Sequence, residues 1–88
     1  MATSSQDIER ALHAALSPLD LEVQDDSHLH AGHAGAREGR HFSVRIAAEA
    51  FRGLSRVRRH RLVYDAVGPL MAQGIHALVI DARAPDEP

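Results

Sequence analysis

Phe51-Arg52-Gly53-Leu54-Ser55-Arg56-Val57-Arg58-Arg59-His60-Arg61-Leu62-Val63-Tyr64 is the stretch on which the fold turns, because it joins an aromatic anchor, a helix start and half of the chain's positive charge. Ser55 is placed to cap a long helix that runs through Met71 and stops before Gly74. At about 100° per residue, Val57, Val63, Tyr64, Val67, Leu70 and Met71 share one broad apolar arc, and His60 lies within it as a buried, hydrogen-bonded histidine. Arg58, Arg61 and Asp65 gather on the opposite side, with Arg61 and Asp65 one turn apart and spaced to pair. Pro69 should bend the helix or loosen its last turn.

Working outward, Ile75-His76-Ala77-Leu78-Val79-Ile80 is nearly continuously apolar and reads as a strand buried on both sides or lodged in the centre of a sheet. On the other side of the helix, Phe42, Val44 and Ile46 alternate with Ser43 and Arg45, the clearest strand pattern in the chain. Strand, helix, strand predicts a right-handed crossover between parallel strands. Farther upstream, Leu21 and Val23 alternate with Glu22 and Gln24 in a short strand that ends at Asp25-Asp26. Between the two strands, residues 27–40 are small and polar, carry Gly32, Gly35 and Gly39 together with His28, His30 and His33, and read as a loop. With no helical pattern between them, these strands pair most simply as an antiparallel hairpin with an enlarged connection.

At the start, Ser4 and Ser5 followed by Asp7 and Glu9 supply a cap and first-turn acids for a helix carrying Ile8, Ala11, Leu12, Ala15 and Leu16, which Pro18 ends. The tail Ala84-Pro85-Asp86-Glu87-Pro88 should fray. The expected fold is α+β, a single domain over residues 1–88 with an ordered core of about 5–83. Its order is helix-strand-strand-helix-strand, giving a three-stranded mixed sheet with helices on one face.

Composition narrows the function. The 88 residues allow one small core, and 44% hydrophobic with 25% charged residues is ordinary for a folded soluble chain. No cysteine is present, so neither disulfides nor metal held by this chain's own thiolates can form, and histidine is the remaining soft ligand. No apolar run approaches the roughly 20 residues of a membrane span and no signal peptide is recognisable, so a membrane is excluded and a cytoplasmic location is expected. A net charge of -2 confines any attraction for phosphate to a local patch, and Arg52, Arg56, Arg58, Arg59 and Arg61 form one. Such a run is more often a solvated helix face. No nucleophile with a positioned base and no phosphate loop occurs, so an enzyme is not expected.

The 51–64 stretch followed by Gly74-Ile75-His76-Ala77-Leu78 resembles the BolA family, as do Leu21-Glu22-Val23, Asp26-Ser27 and His41-Phe42-Ser43-Val44. The resemblance covers nearly the whole chain. It implies a fold similar to a class II KH domain, although the Gly-x-x-Gly loop with which such domains grip RNA is missing from the corresponding place. It also implies an adaptor in iron–sulfur cluster assembly or trafficking. In that role the chain pairs with a monothiol glutaredoxin and shares with it, and with glutathione, a bridging 2Fe-2S cluster; the isolated chain would carry none. Carried across, the family's C-terminal histidine ligand falls on His76 and its loop ligand on His30 or His33. A homodimer is one state open to the free chain, whose oligomeric state the resemblance leaves unassigned. The alternative is a DNA-binding transcriptional regulator that uses Arg52, Arg56, Arg58, Arg59 and Arg61 as its contact.

Overall fold

The computed structural model describes residues 4–26, 40–71 and 75–87, with the backbone alone described for Arg40, Ile75 and His76. Helix α1 (Ser5–Leu16) opens with a reciprocal capping box in which Asp7 N–H donates to Ser4 Oγ at 3.3 Å and Ser4 N–H donates to Asp7 Oδ2 at 3.0 Å. It closes at Ser17, whose left-handed φ of 45° lets its N–H reach the His13 carbonyl at 3.2 Å.

Strands β1 (Asp20–Asp25) and β2 (Arg40–Ala47) pair antiparallel from Asp20 opposite Ala47 to Asp25 opposite Phe42. A 3-10 turn, Glu49–Phe51, leads into α2 (Arg56–Met71), and β3 (Ile75–Arg83) returns parallel to β2. The strand order is β1-β2-β3, so β2 is central. The expected α+β order and mixed sheet are therefore the fold observed, with β3 longer than its apolar run suggests.

Alternation along β2 builds the core. Phe42, Val44 and Ile46 are buried beneath Ile8 and Leu12 of α1 and Val63 and Val67 of α2, and Phe51 and Ala48 close one end. Leu21 and Val23 of β1 and Leu78, Ile80 and Ala82 of β3 add partly buried flanks on the same face. The opposite face carries Glu22, Arg45, Val79 and Asp81 at its surface.

Three local expectations change. Val57 and Tyr64 are 67% and 40% exposed rather than buried, because the packed stripe of α2 centres on Val63 and Val67 with Leu62 and Ala66 on one flank. Tyr64 stands about 100° from Val63, and Val57 farther, so both fall at the rim. The apolar run of β3 forms an edge strand with one face open, and Val79 is 65% exposed; helix cover on the other face is what its apolar residues answer. The tail is also tied: Ala84 is buried, and its N–H donates to Glu87 Oε1 at 2.9 Å.

Gly53 turns the chain into α2 with φ +77°, and a Cβ built there would meet no atom within 4 Å. The glycine is required by backbone conformation, not by space. Gly53→Ala should therefore lower stability by about 1–2 kcal/mol, and Gly53→Asn by less, because asparagine tolerates the left-handed region. Urea denaturation of the two variants measures both; equal losses would show that conformation is not the cause.

Candidate functional site

Three chain segments converge at one end of the sheet. β1 finishes there at Asp25, β2 begins at Arg40, and β3 begins at Ile75. Asp26 fastens the junction: its N–H donates to the His41 carbonyl at 2.8 Å, and its carboxylate accepts from the Ser43 hydroxyl. The connection that carries His28, His30 and His33 leaves and re-enters the sheet at this point. Those three histidines lie outside the described residues.

Across the parallel ladder, Arg40 is the register partner of Ile75, yet His41 is the partner of Ala77. One step on β2 thus spans two on β3, and the extra residue is His76. A bulge of this kind interrupts strand alternation and re-aims the local chain, and such features occur disproportionately beside functional sites. Periodicity could not have revealed it, because the run 75–80 reads as an uninterrupted strand. The backbone thus brings His76 next to the returning end of the histidine-bearing connection. Among the described residues, no three His, Cys, Asp or Glu side chains gather to hold a metal ion, and the side chains of His30, His33 and His76 lie outside that set.

The five arginines of the candidate contact divide into two groups. Arg59 is only 13% exposed and acts as a bolt between three segments. Its Nε donates to the Leu54 carbonyl at 2.9 Å, its Nη1 to the Ala82 carbonyl at 3.3 Å, and its Nη1 and Nη2 grip Glu87 at 2.5 and 2.8 Å. Arg52 makes a bidentate pair with Glu49 at 2.8 and 2.9 Å and reaches Asp86 at 3.0 Å. By contrast, Arg56, Arg58 and Arg61 are exposed and form no ion pair among the described residues. Arg61 and Asp65 border the same shallow depression without pairing. Four-residue spacing permits such a pair but does not require it, and at an exposed site its absence costs little.

His60 is half-buried in a groove lined by Leu54, Arg56, Ile80, Ala82 and Arg83, and it makes no hydrogen bond among the described residues. The expected satisfied core histidine is instead a groove residue, because the first turns of α2 project beyond the buried stripe. His13 is exposed on α1. No helix among the described residues is long and apolar enough to cross a membrane.

With fold and site in view, comparison with known proteins identifies the class. The model of the BolA-like protein family matches residues 12–87, and the chain belongs to that family. It is 45% identical over 86 residues to SufE-like protein 1, chloroplastic/mitochondrial, of Arabidopsis thaliana, covering 91% of this chain but 23% of that protein. It is 41% identical over 78 residues to BolA-like protein 1 of Mus musculus, covering 89% of this chain and 56% of the relative. An uncharacterized protein of Sinorhizobium sp is 42% identical over 96% of this chain and 94% of its own length. The chain thus spans under a quarter of the first of these relatives and just over half of the second. Among solved structures, the BolA domain of SufE1 from Arabidopsis thaliana superposes with a TM-score of 0.82 at 44% identity, covering 97% of this chain and 95% of that one. BolA1 from the same plant gives 0.82 at 35% identity, covering 100% and 99%.

The Arg59 bolt has a pH signature. Hydrogen bonds from Arg59, then from Ala84 N–H, hold the Glu87 carboxyl down at about 2, against an ordinary value of 4.5. A carboxylate with a depressed folded-state pKa stabilises the fold above its unfolded value and loses that contribution as pH falls through its folded value. Glu87→Gln should therefore melt below the parent chain at about pH 7, and the two melting temperatures should converge between about pH 4.5 and 2. A constant gap across that window, read by circular dichroism melts, would place the difference outside the ion pair.

Proposed function

We propose that this BolA-like chain is a non-enzymatic adaptor in iron–sulfur cluster assembly or trafficking. It docks a monothiol glutaredoxin and presents His76, together with His30 or His33, to a 2Fe-2S cluster that the two proteins share. The observation that carries the reading is topological. The connection containing His30 and His33 starts after Asp26 and returns at Arg40, and Arg40 is the register partner of the residue before His76. Arg40, where that connection rejoins the sheet, is therefore the neighbour of Ile75, and the bulge beside this pair is located at His76 itself.

The donor set agrees with the division of labour. A 2Fe-2S cluster takes four ligands and favours thiolates, whereas this chain has seven histidines and no cysteine. It can complete such a cluster only beside a partner that brings sulfur, which a glutaredoxin cysteine with glutathione would do. In this role the cluster is cargo and the imidazoles are its exchangeable ligands. Neutral imidazole binds iron and imidazolium does not, so acid should release the cargo.

The DNA-contact alternative requires a patch of five guanidiniums, of which Arg52 and Arg59 are held in internal ion pairs. Its remaining cations, Arg56, Arg58 and Arg61, lie among the acids of a chain with net charge -2. Nothing specific favours it.

Mixing the chain with a cluster-loaded monothiol glutaredoxin should yield a heterocomplex with a visible spectrum distinct from that of the glutaredoxin alone. His76→Ala should abolish that difference, one of His30→Ala and His33→Ala should do the same, and His13→Ala should leave it intact. An unchanged spectrum with His76→Ala would refute the ligand assignment.

A further inference from the structure

The outer edge of β3 is a second place where the chain offers unpaired bonding groups. In a parallel ladder, the N–H and C=O of one residue point to the same side, and successive residues alternate sides. The Arg83 carbonyl accepts from Ala48 N–H at 3.0 Å, on the β2 side. By alternation Leu78, Ile80 and Ala82 turn their main-chain groups outward. Side chains of α2 confirm this: the Tyr64 hydroxyl donates to the Leu78 carbonyl at 3.4 Å and Arg59 Nη1 to the Ala82 carbonyl at 3.3 Å. Between the two caps, the N–H and C=O of Ile80 have no partner among the described residues.

This open position lies along a groove of about 650 Å³ between the first turns of α2 and the second half of β3. Leu54 and Ile80 contribute apolar surface, and Arg56, Arg59, His60 and Arg83 form a polar rim that also holds one acid, Asp81. Of the three guanidiniums there, Arg59 already holds Glu87 and Arg83 already holds Asp81, at 2.5 and 3.0 Å. Arg56 forms no ion pair among the described residues, although Asp81, bound to Arg83, lies near enough to feel its charge. On the open face beside the same edge, Val79 is 65% exposed.

We propose that the β3 edge is a docking strip for an extended acidic segment of a partner protein, added as a fourth strand that pairs with Ile80 and places a carboxylate on Arg56. Main-chain bonds supply the affinity in strand addition, and the side-chain positions beside the edge supply the choice of sequence. An acidic occupant follows from the rim, where the chain's own carboxylates occupy two of three cations and leave the third open. A second copy of this chain fits less well, since β3 against β3 would bring two Arg56 side chains to one seam where the one acid of the groove, Asp81, is already held by Arg83. The proposal does not involve the histidine site, which lies at the other end of β3.

The test titrates the isotope-labelled chain with a short synthetic peptide of alternating Glu and Val and, in parallel, with its Lys-for-Glu counterpart. The acidic peptide should shift the amide signals of Ile80 and Ala82 and slow exchange of the Ile80 amide about tenfold. Arg56→Glu, at an exposed position, should weaken binding about tenfold with an unchanged melting temperature. Equal binding of the basic peptide, shifts confined to another surface, or indifference to Arg56→Glu would overturn the proposal. So would concentration-dependent dimerisation that protects Ile80 without peptide, since the edge would then belong to a second copy.

Discussion

Parallel pairing of β2 with β3 is the constraint from which the other features follow. Parallel neighbours cannot be joined by a tight turn, so the chain must cross over the sheet, and α2 is that crossover. The crossing brings Val63 and Val67 down on Phe42, Val44 and Ile46 and so builds most of the core. It also returns the chain to the same end of the sheet at which β2 began. His76 consequently lies next to Arg40, the point at which the histidine-bearing connection rejoins the sheet.

The same constraint makes β3 an edge strand, and an unpaired edge is a hazard in a folded protein. Here it is blunted from the crossover itself, by Tyr64 over Leu78 and Arg59 over Ala82. Arg59 shows that part of the arginine at the helix start serves the fold itself. Its planar fork satisfies Leu54, Ala82 and Glu87 together, fastening the helix entry, the strand edge and the tail. A lysine has neither the geometry nor the number of donors for that arrangement.

How much of this was legible in the sequence depended on the range of the interaction concerned. Alternation at Phe42, Val44 and Ile46, the capping signals at Ser4 and Ser55, and the strand-helix-strand order are local or periodic, and each is found in the structure. The true width of the buried stripe on α2 was not legible, because Val57 and Tyr64 are apolar enough to join it and only the position of the sheet excludes them. The same holds for the edge position of β3, since a half-covered edge strand and a central strand can share one apolar run. Pairing of Arg59 with Glu87 spans 28 residues and has no periodic signature at all. At the candidate site, histidine was conspicuous by type and by resemblance, whereas the bulge at His76 arises only from the register of two strands.

β3 therefore joins two surfaces of different chemistry. Its first residues carry the histidine end, where a bulge at His76 interrupts the ladder. Its last residues carry the arginine groove, where hard carboxylates answer guanidiniums and the main chain at Ile80 stays open. Between them the strand is held against β2 by a regular register from His41 opposite Ala77 to Ala47 opposite Arg83. A rigid ladder of that length separates the two ends, so a segment laid along the groove would not have to displace whatever meets His76. The proposed histidine site and the proposed docking strip thus fall at opposite ends of one short strand, where neither obstructs the other.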